Sequence, residues 1–190
     1  GRRRDPDATT MRRGAASLEG FAPIARADAR LLILGSMPGA ASLAAGEYYA
    51  HPRNAFWPII EAVWGIPASL PYAARTGAVR GQGIAIWDVV ARCQRHTSLD
   101  ADIDRASVVV NDFSGFLQRH PGLRHIAFNG AGAEALFRRH VWPALPAPLQ
   151  QIPRLRLPST SPAHASLTLE AKVDAWRALR RYTDPTRHGQ

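Results

Sequence analysis

The 190-residue chain is poor in cysteine, lysine and long apolar runs, and each shortage excludes something. A single cysteine, Cys93, rules out an intramolecular disulfide, a cysteine-ligated iron–sulfur cluster and a cysteine-rich zinc site. No stretch reaches the ~18 apolar residues of a membrane span, and no basic-then-apolar leader is visible. A cytoplasmic protein without a membrane partner is expected. The seven histidines are scattered, with neither an HExxH pattern nor close pairing, so no metal and no other cofactor is expected.

What is abundant is arginine. Of 24 basic residues only Lys172 is lysine, and the net charge is +9. A guanidinium grips phosphate through two parallel hydrogen bonds and stacks on flat rings, so a polyanion such as nucleic acid is the expected partner. Codon bias would produce the same composition, and charge alone leaves the question open. Apolar residues make up 46% of the chain, enough for one domain with a sizeable core.

Hydrophobic patterning divides the chain into a polar, basic arm over 1–16 expected to be disordered, one domain over 17–183, and a flexible tail over 184–190. Strands are expected over roughly 30–34, 83–87, 125–128 and 154–157. Helices are expected over 56–64, from Ser69 to Val79, from Asn111 or Asp112 to about Arg119, over 131–140 and over 168–182, the last with a stripe of Leu169, Val173, Trp176 and Leu179. Residues 92–107 read as loop with a short helix. Strands alternating with helices predict an α/β fold: a single-domain, three-layer α/β/α sandwich around a central, mostly parallel four-stranded sheet.

In such sheets ligands gather outside the carboxyl ends of the strands. Four marked loops fall there: Gly35–Gly39, Trp87–Asp88, Asn129–Gly130 and Ser159–His164. The first opens a stretch that continues through Tyr48, Tyr49, His51-Pro52-Arg53-Asn54, Phe56 and Trp57. A small-residue turn with flat rings and one amide nearby suits a flat heterocycle. It would equally serve as a strand-to-helix turn whose aromatics only pack.

The ordered set of GSMPG after the first strand, YYAHPRNAFWP, a strand ending in FNG and the late loop STSPAHA resembles the uracil-DNA glycosylase superfamily. Within it the chain looks most like the hypoxanthine-DNA glycosylase branch, family six. The resemblance spans roughly residues 21–182. Two positions depart from the superfamily pattern. Met37 stands where many members place Asp, Asn or Glu before the proline of the first motif, and Ser161 stands where many place His before the first proline of the late loop. Both departures point away from a uracil-specific enzyme and toward the hypoxanthine branch. There the amide of an HPxN motif is implicated, which is Asn54 here.

The resemblance implies an N-glycosylase that extrudes a deaminated base, foremost hypoxanthine, and hydrolyses its bond to the sugar in base excision repair. Asn54 would hold the attacking water below C1′, and the Asn129 amide would meet the base edge, unless it only caps the helix that follows. Gly35, Ser36 and Met37 would contribute backbone groups to the base. Phe56 would stack on it, with Tyr48 or Tyr49 alongside, leaving Trp57 and Trp64 to the core. Asp88 would touch base or sugar, or else serve as a cap. Arg53 and the loop of Ser159, Ser161, Pro162, Ala163 and His164 would meet DNA, with His164 at the wedge tip. The lone lysine sits on the last helix away from the rim, which implies a monofunctional enzyme. The expected partner is double-stranded DNA carrying a deaminated base, with single strands left open, bound by a monomer. A uracil-excising enzyme of the same superfamily and a non-catalytic nucleic-acid-binding module are the alternatives.

Overall fold

Four consecutive aliphatic residues at 31–34 leave no polar face, so a strand there must be covered on both sides. In a computed structural model, which describes residues 17–186, this is the case. The expected arm over 1–16 and the tail residues 187–190 lie outside the described residues. A short strand β1 (Ser17–Glu19) precedes β2 (Leu31–Gly35), in which every residue is buried. Three helices follow, α1 (Ala40–Ala45), α2 (Phe56–Trp64) and α3 (Tyr72–Gly81), before β3 (Ile84–Asp88) and β4 (Val90–Gln94). Then come β5 (Val109–Val110), α4 (Phe113–Arg119), β6 (His125–Asn129), α5 (Ala131–His140), α6 (Ala147–Gln150), β7 (Arg154–Leu157) and α7 (Leu169–Trp176).

Strands β3, β2, β6 and β7 lie side by side in that order, all parallel. Side chains alternate across β2, so Leu31 and Ile33 join α2 and α7 in one core, while Leu32 and Leu34 join α4 and α5 in the other. The protein is thus a single-domain α/β fold in three layers around a four-stranded parallel sheet, as the alternating pattern predicts.

A second sheet was not expected. Strands β1, β4 and β5 pair antiparallel, in the order β1-β4-β5. Part of this sheet occupies the stretch read as loop and short helix. The helix is replaced by two single 3-10 turns, Asp100–Asp102 and Arg105–Ser107. Strand β4 buries Val90 and Cys93 but exposes Arg92, and its register shifts between Val90 and Arg92. That irregularity hides the two-residue period by which strands are recognised. Val90 and Cys93 of β4 pack against Met37, together with Ile103 from just after the first 3-10 turn.

Three helices also differ. Helix α1 was not anticipated; it starts after Gly39 and stops at Gly46, whose φ of 67° is left-handed. Helix α3 begins at Tyr72 rather than near Ser69, with Pro71 as its N-cap. Proline disfavours helical backbone in the residue before it, so Leu70 cannot carry the helix through. Helix α7 tightens into a 3-10 segment over Arg177–Tyr182, and Leu169 is 50% exposed, so the buried stripe is Val173, Trp176 and Leu179.

Candidate active site

The carboxyl ends of the four parallel strands open into a cavity of about 580 Å³. Gly35, Ser36, Met37, Asp88 and Asn129 line it from the sheet side. Tyr49 and Asn54 line it from the segment between α1 and α2. Ser159, Ser161, Pro162, Ala163 and His164 close a further wall. Loops distant in sequence therefore meet at one site, because each follows a parallel strand in the same direction. A smaller cleft of about 390 Å³ lies beside α5 and α6 and contains none of the expected site residues.

The floor is built on Gly35, which is in register with Asp88 across β2 and β3. A Cβ at Gly35 would lie 2.4 Å from Asp88 Oδ1 and 2.9 Å from Tyr49 Oη. Only glycine lets both polar groups approach the strand end so closely. Asp88 is 4% exposed, and its Oδ2 is buried without a hydrogen-bond partner among the described residues. Burial first, then the nearby charge of Asp100, pushes its pKa up to about 7, against the opposing pull of Arg95. Tyr49 has a left-handed φ of 56°, which turns its ring onto the cavity wall.

Phe56, the ring expected to stack on a base, is withdrawn from the site. It is fully buried in the first turn of α2, it does not line the cavity, and Tyr49 stacks on it at 3.9 Å between ring centres. The helix that starts at Phe56 directs its ring into the core. Tyr49 is the ring that faces the site, with Phe56 as its backing. Tyr48 also reaches the wall, but its hydroxyl donates to the Ala22 carbonyl at 2.9 Å, which fixes it as packing.

Asn54 is half-buried at the entrance to α2. Its Oδ1 accepts from the Phe56 amide at 2.9 Å, in the manner of a helix cap, and no hydrogen bond engages its Nδ2 among the described residues. The next amide, Ala55 N–H, donates to the Thr160 carbonyl at 2.9 Å. Thr160 is in turn bound at both its amide and its hydroxyl. Its N–H donates to Asn129 Oδ1, and its Oγ1 accepts from Asn129 Nδ2, each at 2.9 Å. One chain of hydrogen bonds thus ties the end of β6 to the late loop and the late loop to the Asn54 segment. Gly130 permits the close approach: its φ is +93°, and a Cβ there would lie 2.9 Å from Ser159 Cβ.

The late loop is a tight turn in which His164 N–H donates to the Ser161 carbonyl at 3.0 Å. Pro162 and Ala163 are therefore its apex. His164 was expected at the tip; it stands instead on the exit side, half-buried. Lys172 was expected away from the rim, yet its Nζ donates to the His164 carbonyl at 2.7 Å from the buried face of α7. Burial lowers the pKa of that amine. Arg53 is exposed beside the site and does not line the cavity.

Four contributors escaped the sequence reading. Asp100 lines the cavity from the 3-10 turn after β4 and accepts from Ser36 Oγ at 2.6 Å. The residue as a whole is open to solvent, but its carboxyl group is packed inward, and that burial raises its pKa. Buried Arg95 donates to the Pro38 carbonyl at 2.5 Å and so holds the opening turn. Thr160 carries the link just described. Leu99 lines the mouth while 49% exposed. Of these only Thr160 had a signal, since it lies inside the STSPAHA stretch.

Among the described residues no group of three or more His, Cys, Asp or Glu could hold a metal ion, and no helix is long and apolar enough to cross a membrane. The site is a preorganised polar pocket with one aromatic wall, an amide and a buried acid. Such a pocket suits a flat, polar heterocycle.

Fold and site together define a known class. The chain belongs to the uracil DNA glycosylase superfamily, whose family model matches residues 22–180. It is accordingly a DNA glycosylase, and its substrate is DNA. More particularly, the chain is 34% identical over 113 residues to a hypoxanthine DNA glycosylase of Methanosarcina barkeri, a match covering 59% of this chain and 70% of that protein. It is 33% identical over 115 residues to a hypoxanthine DNA glycosylase of Methanosarcina acetivorans, covering 60% of this chain and 72% of that protein. It is also similar to the solution NMR structure of a uracil DNA glycosylase candidate from Methanosarcina acetivorans. That likeness has a TM-score of 0.72 and 28% identity, over 88% of this chain and 99% of the other.

Proposed function

We propose that the protein excises hypoxanthine from deoxyinosine in double-stranded DNA, as a monofunctional glycosylase that leaves an abasic site. The observation that carries this reading is the Asn54 amide on the wall of the same cavity as Gly35, Asp88 and Asn129. The relatives named hypoxanthine DNA glycosylase support the choice of base.

A base inside a duplex hides its glycosidic bond, so the target nucleotide is first swung into the cavity. Pro162 and Ala163, at the apex of the late loop, fill the space it leaves, and exposed Leu99 also lies at the mouth. The extruded base lies against the Tyr49 side of the cavity, and Asn129 meets its edge through the hydrogen-bonding capacity that Thr160 does not use. As the C1′–N9 bond breaks, its electron pair moves onto the base and the sugar becomes cation-like. Donors fixed around the base stabilise that charge without reorganising. Asn54 holds a water beneath C1′ through Nδ2. An amide cannot take a proton near neutral pH, so its work is positioning, which suffices for a reactive sugar cation. The Lys172 amine is bound by the His164 carbonyl and lies outside the cavity lining, which supports hydrolysis without a Schiff base. The lone thiol of Cys93, free and buried, suits a reducing cytoplasm.

Duplexes carrying deoxyinosine, deoxyuridine or deoxyxanthosine, treated with alkali after incubation, test the proposal. Cleavage at deoxyinosine is expected only after alkali. Asn54→Ala should slow excision by about a hundredfold or more while duplex binding persists. Full activity in that variant removes Asn54 from the mechanism, and no abasic product from any duplex leaves a non-catalytic binding module.

A further inference from the structure

Two atoms on the cavity floor have unused hydrogen-bonding capacity. Tyr49 Oη and Asp88 Oδ2 are both buried and both without a partner among the described residues. Unpaired buried polar atoms are costly and rare, so two of them lining one open site indicate bonds reserved for a ligand. They also belong together, because the carboxyl of Asp88 and the hydroxyl of Tyr49 converge over the single Cα of Gly35. Asn129 Nδ2, which also donates to Thr160, approaches Tyr49 Oη as a donor only, so the O–H proton of Tyr49 is left without an acceptor.

We propose that the Asp88 carboxylic acid and the Tyr49 hydroxyl form a donor pair that reads the O6/N7 edge of a flipped 6-oxopurine. This rests on the glycosylase reading above and deepens it, by assigning the atoms that separate purine from pyrimidine. A purine with a carbonyl at C6 presents two acceptors side by side, N7 and O6. Two adjacent donors complement them. Uracil has no ring nitrogen equivalent to N7 and satisfies at most one. The same bonds strengthen as negative charge moves onto the departing base, so the pair favours bond breaking as well as binding. No proton has to be transferred.

The donor form of Asp88 depends on its neighbours. Asp100 faces it from the turn after β4, Arg95 from just beyond β4, and Tyr48 and Tyr49 from the segment between α1 and α2. Burial and Asp100 favour the protonated acid, and Arg95 opposes it. Burial keeps Tyr49 protonated across the working range, so its hydroxyl remains a donor throughout.

The test uses the full chain on duplexes with one deoxyinosine or one deoxyuridine. Asp88→Leu should lower hypoxanthine excision by about tenfold to a hundredfold, and Tyr49→Phe by about tenfold, each with a smaller loss at any uracil activity because uracil engages at most one of the two donors. Asp88→Asn restores a donor that does not titrate. It should recover much of what the leucine variant loses, and it should lack the decline that the wild type shows as pH rises through about 7. A substrate probe avoids any folding defect. Duplex containing 7-deaza-2′-deoxyinosine, which lacks the N7 acceptor, should bind the wild type about tenfold more weakly than deoxyinosine duplex, and Asp88→Leu should not distinguish the two. Equal binding of both duplexes by the wild type overturns the donor pair, as does an alkaline decline retained in Asp88→Asn. A wild type that releases no hypoxanthine at all defeats the proposed function instead.

Discussion

Gly35 shows how much one missing side chain decides. Its Cα is the surface on which Asp88 and Tyr49 meet, and any Cβ must displace a buried carboxyl group or a ring packed on Phe56. Gly35→Ala should therefore fold with reduced stability and lose nearly all excision, measured by melting temperature and product yield on the same preparation. Asp88 itself carries a stability signature. Its pKa is about 7 in the fold against 3.8 for the unperturbed group, so the folded protein binds more protons than the unfolded chain between these values. Stability from this group is complete below about pH 4 and is lost as pH rises toward 7. Asp88→Asn should accordingly match the wild type in denaturant titrations near pH 4 and exceed it near pH 8, by up to about 4 kcal/mol. A difference independent of pH contradicts the assignment. Thr160→Val removes the hydroxyl that accepts from Asn129 and leaves the amide nitrogen short of a partner, a cost of about 1–3 kcal/mol. Residue types at these positions were legible, and the glycine turn and Asn54 were read directly from the chain. That Tyr49 and not Phe56 faces the cavity was not, because a left-handed φ at a tyrosine has no local sequence marker.

At the scale of elements, the parallel strands and helices α2, α4 and α5 followed from apolar runs and caps that act over a few residues. Asp112 caps α4 by accepting from the Gly115 amide at 3.0 Å, as a helix starting there requires. The antiparallel sheet did not follow, since β1 and β4 meet across more than seventy residues. The late loop belongs with α7, which reaches back through Lys172. Lys172→Met keeps the apolar stem and removes the bond to the His164 carbonyl, so the apex of Pro162 and Ala163 should loosen. We expect duplex affinity to fall several-fold and the rate on saturated enzyme to change little, as read by titration and single-turnover assays. Loss of a strand-nicking activity in that variant would mean the amine does chemistry after all.

The whole molecule carries a net charge of +9, almost all of it arginine. Duplex affinity should fall steeply with salt, because each neutralised phosphate releases counterions, and a logarithmic plot should be linear with a negative slope. A flat plot would detach the charge from DNA binding. The sequence by itself determined the parallel α/β architecture and the gathering of marked loops at one rim. Short-range periodicity sets each element, and right-handed crossovers direct every parallel strand the same way. Only the tertiary structure decided which ring faces the cavity, where the lysine reaches, and how Asp88, Asp100, Arg95 and Thr160 complete the site. Those outcomes depend on contacts between segments far apart in the chain, where burial and unpaired polar atoms act and no local pattern records them.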